Sequence, residues 1–171
     1  ILGLGKIGQQ LVTLAEAFGM HVIGYDPYIK NSPVKLYAEL NDIYPLADFL
    51  SVNMPLTPET KNMITTKELS LMKPTAYIIN SARGGIINEP DLADALNHDQ
   101  LAGAAIDSFN PEPPAPDNPL FTSKNTVLTS HIAGTTKEAN AALGIGAAQA
   151  IIDFSNGKLP QFPVNPDVFA N

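Results

Sequence analysis

"ILGLGKIGQQLVTLAEAF", residues 1–18, sets three glycines in the order G-x-G-x-x-G, at Gly3, Gly5 and Gly8. Two apolar residues precede the first glycine, and a helical pattern over 6–18 follows it. The spacing has a physical reading. Gly3 permits a tight turn, Gly5 lets the backbone approach a pyrophosphate, and Gly8 lets a helix pack closely on a strand. The helix start supplies free amides and the positive end of its dipole to an anion. Asp26 lies 18 residues beyond Gly8, directly after the β-rich run "HVIGY" (21–25). An acid at about 20 residues, on the next strand end, suits the ribose hydroxyls of a dinucleotide. It would also repel a 2′-phosphate, so NAD is expected over NADP. A turn role for Asp26 before Pro27 is the rival reading. Strands usually run ~5–6 residues, so a first strand starting at Ile1 is short. The expectation is a fragment of a longer protein.

Working outward, β-rich runs alternate with helical ones. Strands are expected at 21–25, 48–53, 76–80, 101–107 and 125–130, with a weaker one at 34–37. Helices are expected at 6–18, 66–72, 90–98 and 136–155. Thr65 with Glu68, and Thr135 with Glu138, read as capping boxes; Asn88 can cap the helix after it. Apolar strands separated by helices imply a parallel sheet covered on both faces. The expected fold is therefore α/β, a Rossmann-type doubly wound parallel sheet. It would occupy 1–155, with a tail at 156–171. Small residues crowd the last helix, which suits close packing on the sheet or on another subunit.

The 171 residues are 44% hydrophobic and 16% charged, enough for a domain with its own core. A net charge of −7 argues against nucleic acid, whose phosphates need a basic face. No apolar run approaches the ~20 residues of a membrane span. With no cysteine, disulfides and thiolate metal sites are excluded. No metal site is expected, and a cytoplasmic setting fits.

Reduction of a carbonyl with a nicotinamide needs a positioned hydride, a proton source and a cation for the substrate. Three histidines compete for the proton role. His21 opens a strand and His98 ends a polar helix, so both read as surface residues. His131, in "SHIAGTT", directly follows a strand, where a site residue belongs on such a sheet; a buried core histidine is its rival reading. The only arginine is Arg83, in "NSARGGIINEPDL" (80–92); the other nine of the ten basic residues are lysines. A planar guanidinium can grip a carboxylate with two bonds, which lysine cannot. Small Ser81 and Ala82 leave room for a nicotinamide ring. "NPEPPAPDNP" (110–119) has five prolines around Glu112; a stiff solvated connector is its bland reading.

Together and in order, "GLGKIG", "YDPY", "VNMPLTPETKNMI", "NSARGGIINEPDL", "AAIDSFNPEPP" and "SHIAGTT" resemble the NAD-binding domain of the D-isomer-specific 2-hydroxyacid dehydrogenases. The likeness covers essentially the whole chain and leans toward the phosphoglycerate and hydroxypyruvate or glyoxylate branches. It implies that Arg83 binds the substrate carboxylate, that His131 is the acid/base, and that Glu112 stands behind it. By the same resemblance Asp26 holds the adenosine ribose, and Lys6 and Ile7 lie under the pyrophosphate. Asn53, Met54 and Thr60 would line the cofactor groove, Ala82 and Asp107 would face the carboxamide, and Gly134 would lie near the ring. The resemblance further implies a substrate domain built from segments outside this chain, toward which the tail returns, and a homodimer through this domain. The chain alone is then expected to bind NAD weakly and turn over poorly. An NAD-sensing, corepressor-like binding protein is the alternative function. A different Rossmann oxidoreductase would need another histidine context, which His21 and His98 do not offer.

Overall fold

The computed structural model describes residues 1–169. Its strands are β1 (Ile23–Gly24), β2 (Lys35–Leu36), β3 (Phe49–Val52), β4 (Tyr77–Asn80), β5 (Gly103–Ile106) and β6 (Thr126–Leu128). Helices are α1 (Lys6–Ala17), α2 (Thr66–Leu69), α3 (Glu89–Asn97) and α4 (Lys137–Ser155). Every strand pair is parallel. β1 lies beside β2, and β3, β4, β5 and β6 follow one another across the sheet.

Leu2 joins these two groups. It bridges Tyr25 on one side and Val52 on the other. Its N–H donates to the Ser51 carbonyl at 2.8 Å, and its own carbonyl accepts from Asn53 N–H at 2.7 Å. On the opposite flank Gly3 N–H donates to the Tyr25 carbonyl at 2.8 Å. The spatial order is thus β2-β1-Leu2-β3-β4-β5-β6. The chain winds outward from Leu2 first one way and then the other, which is the doubly wound topology expected from the sequence. The reversal point, outside the carboxyl ends of the strands, is where such sheets bind ligands. Residues 3–8 leave Leu2 at that point.

Compact packing divides the chain into a unit of Ile1–Ala133 and a second from Gly134 onward. The main core of the first unit joins Leu50, Ile78 and Ile106 of the sheet to Leu69 of α2 and Leu92 and Leu96 of α3. Full burial of each such side chain is worth about 1.5–3 kcal/mol. A smaller cluster, Leu4, Val12 and Val34, seats α1. Ser51, Ile79 and Ala105, alternating with the buried positions, are only half-buried, so the two sheet faces are covered unequally within this unit. In the second unit no residue of α4 is buried. Of the tail expected at 156–171, the last two residues lie outside the described ones.

Helix starts follow the sequence with one correction. Glu68 accepts both the Thr65 N–H (3.0 Å) and the Thr65 hydroxyl (2.7 Å), closing the capping box of α2. Asn88 caps α3 by accepting Asp91 N–H at 3.0 Å. α4 is capped by Thr136 rather than Thr135, its hydroxyl accepting Ala139 N–H at 3.0 Å. Two adjacent threonines can both serve, and choosing the second removes Glu138 from the third helical position that a box requires. Among the described residues no helix is long and apolar enough to cross a membrane.

Candidate active site

The glycine loop is built as its spacing demands, with one refinement. Gly3 has φ +88°, a conformation that side chains avoid, and a Cβ there would press on the Asn53 carbonyl and on Met54. A Cβ on Gly8 would collide with the Gly3 carbonyl. Gly8 therefore lets the helix close against the turn itself, with the Ile1 side chain of the first strand segment also next to it, at 3.6 Å from that Cβ position. Around Gly5 a Cβ would meet nothing within 4 Å. The fold itself does not require that glycine, and the space above it is open to a ligand. Gly5 also starts α1 with no side-chain cap, which leaves the helix amides available as donors. Lys6 is exposed and Ile7 is 73% exposed on the same turn. This open, uncapped helix start fits a dinucleotide pyrophosphate.

Asp26 serves the turn and the loop at once. One carboxylate oxygen accepts Tyr28 N–H (2.9 Å) and Ile29 N–H (3.2 Å), which is the Asp-Pro turn. The other accepts Leu4 N–H at 2.8 Å, tying the end of β1 to the glycine loop. A carboxylate has about four acceptor positions, so capacity remains for a ribose hydroxyl. Across the loop, Asn53, Met54, Pro55, Leu56 and Arg83 line a cavity of about 450 Å³. Thr60 holds this wall's shape: its hydroxyl donates to the Pro55 carbonyl at 2.7 Å and accepts Thr57 N–H at 2.8 Å.

The Arg83 turn is pinned from beneath by Asn80, a buried residue at the end of β4. Asn80 accepts Ala82 N–H at 3.1 Å and donates to the Arg83 carbonyl at 2.9 Å. Ser81 and Arg83 are exposed and Ala82 is half-buried. Gly85 turns the chain with φ +79°. Gly84 has a different task, because a Cβ there would collide with the Phe109 carbonyl. The arginine loop thus lies directly on the stretch that leads to Glu112.

His131 is 41% exposed at its side chain, as is Glu112, so it is no core histidine. Its Nδ1 lies 2.9 Å from each Glu112 oxygen. The carboxylate can only accept, so Nδ1 carries the proton and Nε2 is left for other partners. The residue sits at φ +56°, a left-handed conformation that costs a non-glycine residue about 1–2 kcal/mol. Asp107, at the end of β5, holds it there. Its backbone carbonyl accepts His131 N–H at 2.7 Å. Its carboxylate accepts the Thr129 hydroxyl, Ile132 N–H at 2.9 Å and Ala133 N–H at 3.0 Å. Burial opposes the Asp107 charge, but the Thr129, Ala133 and Ile132 donors and the nearby His131 outweigh it and hold the carboxyl below its ordinary range. A second cavity, about 960 Å³, is lined by Phe109, Glu112, Pro113, Phe121, Leu128 and His131 among others.

His21 and His98 are both exposed, as expected from the sequence; His98 pairs with Asp94 at 3.2 Å. Gly134 belongs to the second unit, where a Cβ would meet nothing within 4 Å. Sequence reasoning missed Asn80, Glu89 and Thr129. Asn80 ends a strand just before a glycine turn, a place that could have drawn attention; Glu89 and Thr129 carry no such signal.

The family described as "D-isomer specific 2-hydroxyacid dehydrogenase, NAD binding domain" matches residues 1–133. The chain belongs to this family. This NAD-binding domain is 43% identical over 170 residues to "D-3-phosphoglycerate dehydrogenase" of Methanocaldococcus jannaschii, covering 96% of the chain and 32% of that protein. It is 38% identical over 172 residues to "Glyoxylate reductase" of Aeropyrum pernix, covering 98% of the chain and 51% of the relative. Among solved structures it matches the TT0316 protein of Thermus thermophilus with TM-score 0.90 and 33% identity, over 95% of the chain and 52% of that one. The chain thus spans about a third to about a half of the length of these relatives.

Proposed function

We propose that the protein carrying this domain is an NAD-dependent oxidoreductase that interconverts a D-2-hydroxy acid and its 2-keto acid, of the phosphoglycerate or hydroxypyruvate/glyoxylate type. The observation that carries this reading is the Glu112–His131 contact through Nδ1. It leaves Nε2 on a ring held at the carboxyl edge of the sheet. NAD, when bound, supplies or accepts the hydride. His131 donates the proton from Nε2 to the carbonyl oxygen as the keto acid is reduced, and accepts it back in oxidation. Proton transfer of this kind is typically worth ~10²–10⁴ in rate. Glu112 fixes the tautomer and stabilises the charged ring. Arg83 makes no ion pair among the described residues. Its guanidinium donates from Nη1 to the neighbouring Ala82 carbonyl at 2.7 Å. That supports a guanidinium kept for the substrate carboxylate.

For the cofactor, Gly3, Gly5, Lys6, Ile7 and Gly8 receive the pyrophosphate and Asp26 the ribose. Asn53, Met54 and Thr60 form the groove wall, and Ser81, Ala82, Asp107 and Gly134 attend the nicotinamide. Asp107 has three donors on its carboxylate already, so its share in carboxamide binding goes with its hold on the His131 turn. The exposed apolar residues of α4, Leu143 and Ile151 among them, support a homodimer. The cysteine-free sequence fits a cytoplasmic setting. The test is a panel of 2-keto acids with NADH and NADPH on the full-length protein. Hydroxypyruvate, glyoxylate or phosphohydroxypyruvate should be reduced, and faster with NADH. Reduction of none of the panel would sink the reading; a preference for NADPH would count against the role given to Asp26.

A further inference from the structure

Glu89 is 7% exposed, at the first position of α3. Carboxylates are rarely so buried unless paired, and no ion pair involves Glu89 among the described residues. Its partners are two neutral donors. One oxygen accepts Asn110 N–H at 2.6 Å and the other accepts the Asn118 side-chain amide at 2.5 Å. Asn110 and Asn118 stand at the two ends of the proline-rich loop, and Glu112 lies between them. The helix dipole adds support for a negative charge at this position.

Both partners are fixed as donors. Asn110 offers its main-chain N–H, which cannot be reversed. Asn118 uses its side-chain oxygen to accept Leu120 N–H at 3.0 Å, so its NH₂ must face Glu89. A glutamine at position 89 has one acceptor and one donor, and would set N–H against N–H whichever way it turned. Only a group that accepts at both ends closes the loop. The same stretch touches the arginine loop, since the Asn110 side chain lies 3.1 Å from where a Gly85 Cβ would be and the Phe109 carbonyl abuts Gly84.

We propose that Glu89 is a positioning residue for His131: by tying Asn110 to Asn118 it sets the loop that presents Glu112, and through Glu112 the orientation of the imidazole. The catalytic consequence rests on the proposed dehydrogenase reaction; the geometric consequence does not.

Two variants of the full-length protein test it, E89Q and the double variant E89Q/N118D. In the double variant donor and acceptor are exchanged. The new amide at 89 donates to the new carboxylate at 118, still accepts Asn110 N–H, and Leu120 N–H keeps its acceptor. The first readout is the ¹⁵N shift of the His131 ring at fixed pH, which reports its contact with Glu112. E89Q should displace it, and the double variant should return it to the wild-type value. The second is kcat with NADH and a 2-keto acid that the wild type reduces. It should fall roughly 10- to 100-fold in E89Q, the scale of a reacting group misplaced by about 1 Å, with KM for NADH unchanged, and recover in the double variant. An unmoved His131 signal in E89Q overturns the proposal, even if stability drops. So does a double variant that fails to fold, or that folds without recovering the signal. If E89Q alone is unfolded, recovery of fold and signal in the double variant supports the proposal. A wild type that reduces no keto acid ends the dehydrogenase reading, while the ¹⁵N readout still decides the clamp.

Discussion

Arg83 is the one arginine beside nine lysines, and its surroundings suit the carboxylate-binding role proposed for it. Asn80 fixes the backbone on both sides of the residue, so the guanidinium is presented from a rigid turn although its side chain is exposed. A rigid base makes a planar two-pronged donor worth having; a point charge on a flexible stem gains little from it. Arg83→Lys should therefore leave folding within about 0.5 kcal/mol, as for most exposed substitutions. Loss of a charge-assisted pair costs about 1.5–3 kcal/mol, so kcat/KM for the keto acid should drop roughly 10- to 100-fold or slightly more. NADH affinity, measured by fluorescence titration, should stay within about twofold. Near-normal turnover in steady-state assays would remove Arg83 from the mechanism.

The turn between β6 and α4 shows how far an element can be read from sequence. That a histidine after the last strand stands at the carboxyl edge was legible, because strand ends and the parallel order follow from hydrophobic pattern. Its support was not. Asp107 looks in the sequence like any acid after a strand, and nothing in the residue order reveals that it accepts donors from 129, 132 and 133. Glu89 was equally silent, for an acid in a first helical turn normally faces water. Such contacts depend on how separate loops meet in space, and a single chain's periodicity does not encode that. Asp107→Asn should be destabilising by about 1–3 kcal/mol, because in the buried Asp107 position the introduced NH₂ faces an amide N–H instead of accepting from it. The pH dependence follows from the sign of the shift. The folded carboxyl lies below the ordinary value of ~3.9, so its stabilisation is complete above that value and is lost as pH falls through the lower, folded one. Urea midpoints should differ between wild type and variant at pH 7 and converge below about pH 4. A gap independent of pH would mean that the charge on Asp107 is not what holds the turn.

At the scale of the whole molecule, the dinucleotide loop, Asp26 and the His131–Glu112 pair all lie within Ile1–Ala133, the unit that holds the core. Gly134 alone of the expected cofactor contacts falls in the second unit. A ligand held chiefly by the first unit must stabilise that unit by mass action, whatever turnover the chain achieves. At a concentration one hundred times its dissociation constant it adds about 2.7 kcal/mol. For a domain of 150–250 residues each kcal/mol raises Tm by about 2–4 °C, so saturating NADH should raise the melting temperature of the 171-residue chain by roughly 5–10 °C. Because Asp26 sits against the glycine loop through Leu4 N–H, a 2′-phosphate would bring negative charge onto that carboxylate. NADPH at the same concentration should therefore give a markedly smaller shift. The comparison separates binding from catalysis. Equal shifts would show that Asp26 serves the turn alone, whereas no shift with either nucleotide would place essential cofactor contacts beyond this chain, even with a correctly built loop.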